Sequence, residues 1–348
     1  MQDDSGHIPA IDISGLFGPQ SLARKEIDSR IFDAASSIGF MTVRGFPGSQ
    51  LLTGGKRAEL LNIFKLLDAE KAKMLRWNFD RSKSNYYRGW FALQPMAVSY
   101  KEGIDIGPDI AHADAAYDPD DPLLERTPLP ADSELPGWRA SAANYYKAME
   151  KVGAAVMASI ARNLGLRETT FDDFFRSGIS TLRLTRYPLR DENAGVDLSG
   201  PEYSVMHKGE KRLIIGREHA DSGFVTLLAQ DGVEGLQAKN RAGEWLDVPP
   251  ADGMLAVNFG QLLERWTEGV VQATRHRVIA PKRERFSIPF FYEPRVDARI
   301  APLPLKGASD FLPFFYGDYL WESATNFVEM VGVKDLRRPR HGGRADSH

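Results

Sequence analysis

The sequence contains no cysteine. Disulfides, zinc–thiolate sites, iron–sulfur clusters and cysteine nucleophiles are therefore excluded, and any metal must be held by nitrogen and oxygen ligands. No uninterrupted apolar stretch approaches the roughly 20 residues that span a bilayer. No Gly-x-Gly-x-x-Gly or Walker pattern supports nucleotide chemistry. Charge of one sign is also lacking: 44 Lys and Arg against 47 Asp and Glu leave a formal net charge of −3. That balance gives no general attraction to nucleic acid or an anionic membrane. The opening Met1-Gln2-Asp3-Asp4-Ser5-Gly6-His7 is polar and acidic, without the basic start and apolar run of a signal peptide. The cytoplasm is the expected location.

What is present is ordinary for a folded chain with a real core: 348 residues, 43% hydrophobic and 26% charged. Residues 8–13 and 39–43 read as short strands. Residues 21–38, capped by Ser21, and 51–67 read as amphipathic helices, with a third starting near residue 69. Tyr86-Tyr87-Arg88-Gly89-Trp90-Phe91 fits either an aromatic core strand or a pocket mouth. Residues 101–108 mix charge with glycine turns, and 109–136 read as a surface excursion rich in Asp, Pro and Ala. Residues 138–164 form a long scaffold helix with Tyr145, Met149, Val152, Val156 and Ile160 on one face.

The pattern then changes. Residues 180–188 alternate as a half-buried strand does, and 189–217 read as a long loop, either a binding lid or a plain solvated excursion. His207 in it reads as an exposed loop histidine. From residue 223 short strands follow at 224–230, 236–239, 245–248, 254–258, 275–280 and 285–292. Gly and Pro punctuate them, the signature of a sandwich or jelly roll rather than alternating βαβ units. Residues 311–333 look helical and aromatic, and Arg337-Arg338-Pro339-Arg340-His341 reads as a solvated, disordered end. With no repeat and no clean linker, the chain reads as one catalytic unit. Its parts are an N-terminal region at 1–135, a catalytic core at 136–310 and a C-terminal helical segment with its tail at 311–348.

Inside the strand-rich part lie Glu218-His219-Ala220-Asp221-Ser222-Gly223, His276 and Arg285-Phe286-Ser287. Two imidazoles and a carboxylate are the donor set of a non-haem Fe(II) site that keeps one face of the metal open. His219 and Asp221 have strand spacing, where residues two apart point to the same side. An arginine and a serine two apart could grip a carboxylate bidentately. Each motif is cheap: with seven histidines, roughly half a His-x-Asp is expected by chance at ordinary aspartate frequency. His112-Ala113-Asp114 is a competitor, but it runs into a turn-rich acidic loop. Arg139-Ala140-Ser141 repeats Arg-x-Ser at the opening of a helix. Only residues 219, 221, 276, 285 and 287 fall in one β-rich segment and in a workable order.

On these residues the sequence resembles the isopenicillin N synthase-like branch of Fe(II)/2-oxoglutarate-dependent oxygenases. The likeness covers most of the chain. It is strongest from Arg186-Tyr187-Pro188 to Phe291-Tyr292-Glu293-Pro294. It is also present in Ile8-Pro9-Ala10-Ile11-Asp12, Gly39-Phe40-Met41-Thr42-Val43 and Tyr316-Gly317-Asp318-Tyr319-Leu320. Where many members have Asn-His-Gly, this chain reads Arg44-Gly45-Phe46, at a position without a catalytic role in the family. The resemblance implies an α+β fold that is mainly β, a double-stranded β-helix or jelly roll with flanking N- and C-terminal helices. It implies that His219, Asp221 and His276 bind iron and that Arg285 and Ser287 bind the distal carboxylate of 2-oxoglutarate. Tyr187 matches a position whose phenol reaches the cosubstrate, with a core tyrosine as the alternative.

The activity implied is oxidation, with hydroxylation as the default, of a C–H bond in a small organic molecule. 2-Oxoglutarate and O2 would become succinate and CO2. Tyr86, Arg88, Phe91, Lys101, Phe290 and the 189–217 segment are candidates to line the substrate mouth; a surface charge is the alternative for Arg88 and Lys101. Three other readings stay open. They are a keto-acid-independent oxidase of the same fold, a Zn(II) hydrolase or isomerase on the same ligands, and a non-catalytic metal-binding scaffold. The second needs a general base. Glu218, the nearest carboxylate, should alternate away from the ligand face.

Overall fold

The computed structural model describes residues 6–190, 197–305, 310–327, 330 and 332–339. In chain order, β1 (Ala10–Asp12) leads into α1 (Leu22–Ser37), where the Ser21 hydroxyl accepts the Arg24 N–H at 3.1 Å and so caps the helix as its sequence predicts. Next come β2 (Phe40–Arg44), α2 (Gly54–Leu61), α3 (Asp68–Lys73), β3 (Gly89–Phe91), β4 (Glu102–Ile106), α4 (Trp138–Asn163), α5 (Asp172–Phe175) and β5 (Thr181–Tyr187). The helix expected over 51–67 is shorter because Gly54-Gly55 breaks its start, with single 3-10 turns on either side. A hairpin of β6 (Ser204–His207) and β7 (Glu210–His219) precedes β8 (Val225–Gln230), β9 (Leu236–Lys239), β10 (Trp245–Asp247) and β11 (Leu255–Phe259). The chain closes with α6 (Gln261–Trp266), β12 (His276–Ile279), β13 (Arg285–Tyr292), β14 (Arg299–Ile300), β15 (Phe314–Phe315) and α7 (Tyr316–Ala324).

The strands form two facing sheets. The larger has the order β1-β2-β11-β8-β13-β5-β4-β3, the smaller β10-β9-β12-β7-β6, and apart from the parallel β1–β2 pair the ladders are antiparallel. One face of the large sheet packs on α1 and α4 through the main core, which includes Ile288, Phe290 and Tyr292 of β13. The other face meets the small sheet across a second, smaller core with Phe40, Tyr187, Ile215, Leu236 and Val278. This is the expected jelly roll. Strand alternation therefore sends Phe286, Ile288 and Phe290 toward the helices and Arg285 and Ser287 between the sheets. Among the described residues no helix is long and apolar enough to cross a membrane.

Three expectations are corrected. Residues 101–108 are not a turn region: β4 is fully buried and sits between β3 and β5. Its charges read as solvent-facing in sequence but are paired, Glu102 with Arg186 at 2.8 Å and Asp105 with Arg183 at 2.6 Å. The 189–217 segment is not one long loop, since 204–219 fold into the β6–β7 hairpin; residues 191–196 lie outside the described residues. Its turn is Lys208-Gly209, with φ of 50° and 80°, the pair of positive values that a two-residue hairpin needs. His207 is on that strand and bonds Asp247 at 2.9 Å. Finally, Arg337 is buried and bonds both Asp121 and Asp318, at 2.8 and 2.7 Å, so the tail is pinned at least that far. Arg340 and His341 lie outside the described residues, and the helix expected over 311–333 spans only α7.

Candidate active site

His219 is the last residue of β7 and His276 the first of β12, and the two are direct partners across one antiparallel rung. Their ring centroids are 4.3 Å apart. Asp221 lies in the turn from β7 to β8, not on a strand, so the turn rather than strand alternation brings its carboxylate in. Its Oδ1 sits 3.6 Å from His219 Nε2 and 3.8 Å from His276 Nε2, and one ligand atom from each residue lies within 4.8 Å of the others. Each imidazole donates its Nδ1–H backward to a carbonyl, Arg217 O at 2.7 Å and Thr274 O at 3.1 Å, which leaves both Nε2 lone pairs aimed at one point. Asp221 Oδ2 accepts the Thr226 hydroxyl at 2.5 Å and Asn258 Nδ2 at 2.8 Å, so Oδ1 is the oxygen turned to that point.

The turn itself is held from below. Gln261 N–H and Leu262 N–H, at the start of α6, donate to the carbonyls of Asp221 and Ser222 at 2.8 and 3.0 Å. Gly260 allows this approach, because a Cβ there would lie 2.3 Å from Gly223 O. Burial pushes the His219 imidazole down to about 4, although 37% of its side chain shows to solvent, and the neighbouring His276 adds to the shift. Burial alone would raise the Asp221 carboxyl. The two imidazoles, Thr226 and Asn258 more than offset it and hold the group below its usual range. His219 is thus neutral and Asp221 an anion at neutral pH, the protonation a divalent cation requires of those two groups.

Arg285 is 1% exposed and lies between the sheets, paired in register with Tyr187, whose ring centre is 5.2 Å from its guanidinium. Ser287 is beside it, also buried, opposite Thr185 and Gln230. Arg285 Nη2 makes one long contact to Gln230 Oε1 at 3.4 Å, while Nε and Nη1 have no partner. A buried guanidinium with two orphaned donors is costly unless a ligand accepts from them. A planar carboxylate fits the Nη1–Nη2 edge of this guanidinium, where Nη1 is unpartnered and Nη2 has one long contact.

A family profile described as the 2OG-Fe(II) oxygenase superfamily matches residues 198–294. Isopenicillin N synthase of Streptomyces clavuligerus is 28% identical over 325 residues, 91% of this chain and 94% of that protein. A 2-oxoglutarate-Fe(II) type oxidoreductase of Aspergillus fumigatus is 30% identical over 298 residues, 82% and 81% of the two chains. The chain belongs to the 2OG-Fe(II) oxygenase superfamily. The fold agrees: full-length Neurospora crassa T7H in complex with alpha-KG superposes with a TM-score of 0.73 at 24% identity, over 94% of this chain and 98% of that one. This oxygenase is an oxidoreductase that works with Fe(II) and 2-oxoglutarate.

The oxygenase has a cavity of about 720 Å³ beside the His219–Asp221 edge, floored by β4, β5 and β13 and roofed by α7 and Phe327. Of the five residues expected at the substrate mouth, Lys101 lines it. The others are placed elsewhere. Tyr86 packs on Trp77, Phe290 on Tyr146, and Phe91 lies buried under guanidinium groups. Arg88 is fully buried and bonds Thr181 Oγ1 and Ile179 O at 2.5 and 2.8 Å. The competing His112 bonds Glu150 at 2.8 Å and takes no part in the metal group. Glu218 turns away to Arg275 and Lys239, as its alternation predicts.

Sequence reasoning missed Thr226, Asn258, Arg183, Asp105 and Glu293. The lone amide in Leu255-Ala256-Val257-Asn258-Phe259 was the available signal, since a polar group in a buried strand needs a partner. Glu293 lines the cavity floor, with Oε2 unpartnered, and burial pushes its carboxyl up to about 8 against the pull of Arg88. Folded, it keeps a proton that the unfolded chain releases above 4.5. Its contribution to stability is therefore full at low pH and is lost as pH rises through the folded value. Glu293→Gln stays neutral throughout, so its melting temperature should be flatter between those values and exceed wild type by several degrees at the upper end. Calorimetry across that window checks this, and parallel profiles would show that folded Glu293 is already ionised at neutral pH.

Proposed function

We propose that the oxygenase hydroxylates a C–H bond of a small organic molecule, with His219, Asp221 and His276 holding the iron and Arg285, Ser287 and Tyr187 holding the distal carboxylate of 2-oxoglutarate. The observation that carries the reading is Arg285, a fully buried cation with two orphaned donors, on the strand that shares the interior with the ligand set. Its Nη1–Nη2 edge donates to a carboxylate bidentately, and the Ser287 hydroxyl beside it supplies another donor. When bound, the iron and keto acid supply oxidative decarboxylation to succinate and CO2, coupled to oxidation of the substrate. The chain's own part is placement. Arg285 fixes the keto acid's far end, and the hydrogen bonds on both imidazoles and on Asp221 fix the ligand atoms. The cavity walls seat one C–H bond near the open face of the site and keep water away.

The test is an anaerobic titration with Fe(II) and then 2-oxoglutarate, followed in the visible spectrum. A weak charge-transfer band that needs both components is the expected result. Iron binding without that band would reject keto acid chelation and leave an oxidase of another kind. No iron binding would reject the ligand assignment itself.

A further inference from the structure

Glu293 is a buried acid that the reaction proposed above does not use. It follows β13 directly and lines the cavity, with 6% of its surface exposed. The Tyr316 hydroxyl stands close enough to act on its carboxyl. Yet neither that hydroxyl nor Glu293 Oε2 has a hydrogen-bond partner of good geometry among the described residues, although both are buried. Glu293 presents Oε1 to the turn that carries the metal group. A Cβ at Gly223, two residues after Asp221, would stand 3.7 Å from Oε1 and 3.5 Å from the Tyr316 hydroxyl. Both distances are ordinary van der Waals contact, so a methyl-sized gap lies in front of the pair. Gly223 itself lines the cavity. A buried carboxyl that the fold leaves unsatisfied is costly unless a bound molecule completes its hydrogen bonds.

The chemistry of that molecule follows from the neighbours. The buried Arg88 guanidinium bonds Thr181 Oγ1 and Ile179 O, both neutral, and attracts Glu293. A negative charge on Glu293 therefore already has a cation near it, and a cationic ligand would face Arg88. A neutral donor fits better. An ionised carboxyl accepts an N–H. A protonated one, the form that burial favours here, accepts an N–H and also donates an O–H. In either form its complement is an amide edge, where N–H and C=O stand side by side. Residues 221 and 223 are two Cα steps apart, at most about 7 Å. A group held at Glu293 thus keeps the carbons next to it close to the metal group.

We propose that the cavity takes a neutral molecule with an N–H amide or lactam, that edge hydrogen-bonded to the Glu293 carboxyl and its apolar body on Leu320, Phe327 and Met330. The proposal deepens the oxygenase reading and rests on the site assignment made there. Glu293 acts as the specificity-determining residue. A molecule without the N–H leaves the buried carboxyl unsatisfied and so binds less well.

Phenylpropionamide against its N,N-dimethyl form, caprolactam against N-methylcaprolactam, and phenylpropylamine as the cation supply the test. They are titrated into the anaerobic protein loaded with Fe(II) and 2-oxoglutarate, following perturbation of the charge-transfer band, and into the metal-free protein by calorimetry. Each N–H amide is expected to bind at least about tenfold tighter than its N-methylated form, a difference of about 1.4 kcal/mol. Phenylpropionamide should also bind tighter than the amine. Glu293→Gln, which keeps an acceptor and a donor, should retain most of that ratio, and Glu293→Leu should bring it near one. Formation of the keto acid band in each variant shows that the site is still built. If Glu293→Leu does not fold, Gly223→Ala decides, because its methyl group fills the gap in front of Oε1 and should lower the ratio. N-methylated forms that bind as tightly, an amine that binds tighter than the amide, or no amide binding at millimolar concentration would overturn the proposal. So would an N–H preference that survives Glu293→Leu, or Gly223→Ala in its place. Absence of the band in wild type would instead reject the iron and keto acid reading, and calorimetry on the metal-free chain would then still judge the amide site.

Discussion

His219→Ala should abolish iron binding and turnover while leaving the protein folded. Removing one of three ligands should weaken Fe(II) by more than the roughly 100-fold that loss of an outer hydrogen-bond partner can cost. His219 is the informative position because it is the exposed member of the set, with 37% of its side chain in solvent against 10% for His276. His276 packs edge-on to Phe40 at 6.0 Å, so its removal would disturb the core as well as the metal. At position 219 truncation leaves no buried void, and stability should change by no more than about 1 kcal/mol. Anaerobic Fe(II) titration, succinate formation and a thermal melt together read this out. Wild-type turnover in the variant would mean the iron is held elsewhere.

The second large effect is expected at Arg285. Arg285→Met keeps most of the side-chain volume but removes every donor. Two charge-assisted hydrogen bonds, at roughly 1.5–3 kcal/mol each, correspond to at least about a 100-fold rise in the KM for 2-oxoglutarate. Iron affinity should not change, because Arg285 is not in the metal group. The fold should not suffer either: two of the buried donors have no protein partner, and replacing such a charge with an apolar group is often neutral or stabilising. Arg285→Lys should recover little, since a point charge does not reproduce the planar fork. A KM for 2-oxoglutarate equal to wild type in Arg285→Met would separate this guanidinium from the keto acid.

How much of this was legible in the sequence depends on where each residue's partner lies. The strands after residue 223 were readable because turn residues bound them and their apolar content is local: β9 and β13 fall at the expected limits. The metal group was readable because its residue types are rare and their order is constrained. β4 was not, because Asp105 and Glu102 mark a surface unless Arg76, Arg183 and Arg186 are known to stand opposite. The same holds for Arg337, whose basic run suggests a solvated end until Asp121 and Asp318 close on it. Thr226 and Asn258 matter only through one oxygen of Asp221, a relation no spacing rule encodes. Long-range charge pairing is invisible to local pattern.

The walls of the cavity come from distant parts of the chain. The three metal-group residues, Arg285 and Ser287 all fall within 198–294, the segment that matches the superfamily profile. Arg76, Lys101, Arg183, Leu320 and Phe327 line the cavity from outside it, beside Arg217, Phe224 and Phe291 from within. The metal group is thus written in one stretch of polypeptide, while the cavity wall draws on that stretch and on both of its flanks. An exchange of the flanking segments would reshape one part of the cavity wall while leaving His219, Asp221 and His276 in place.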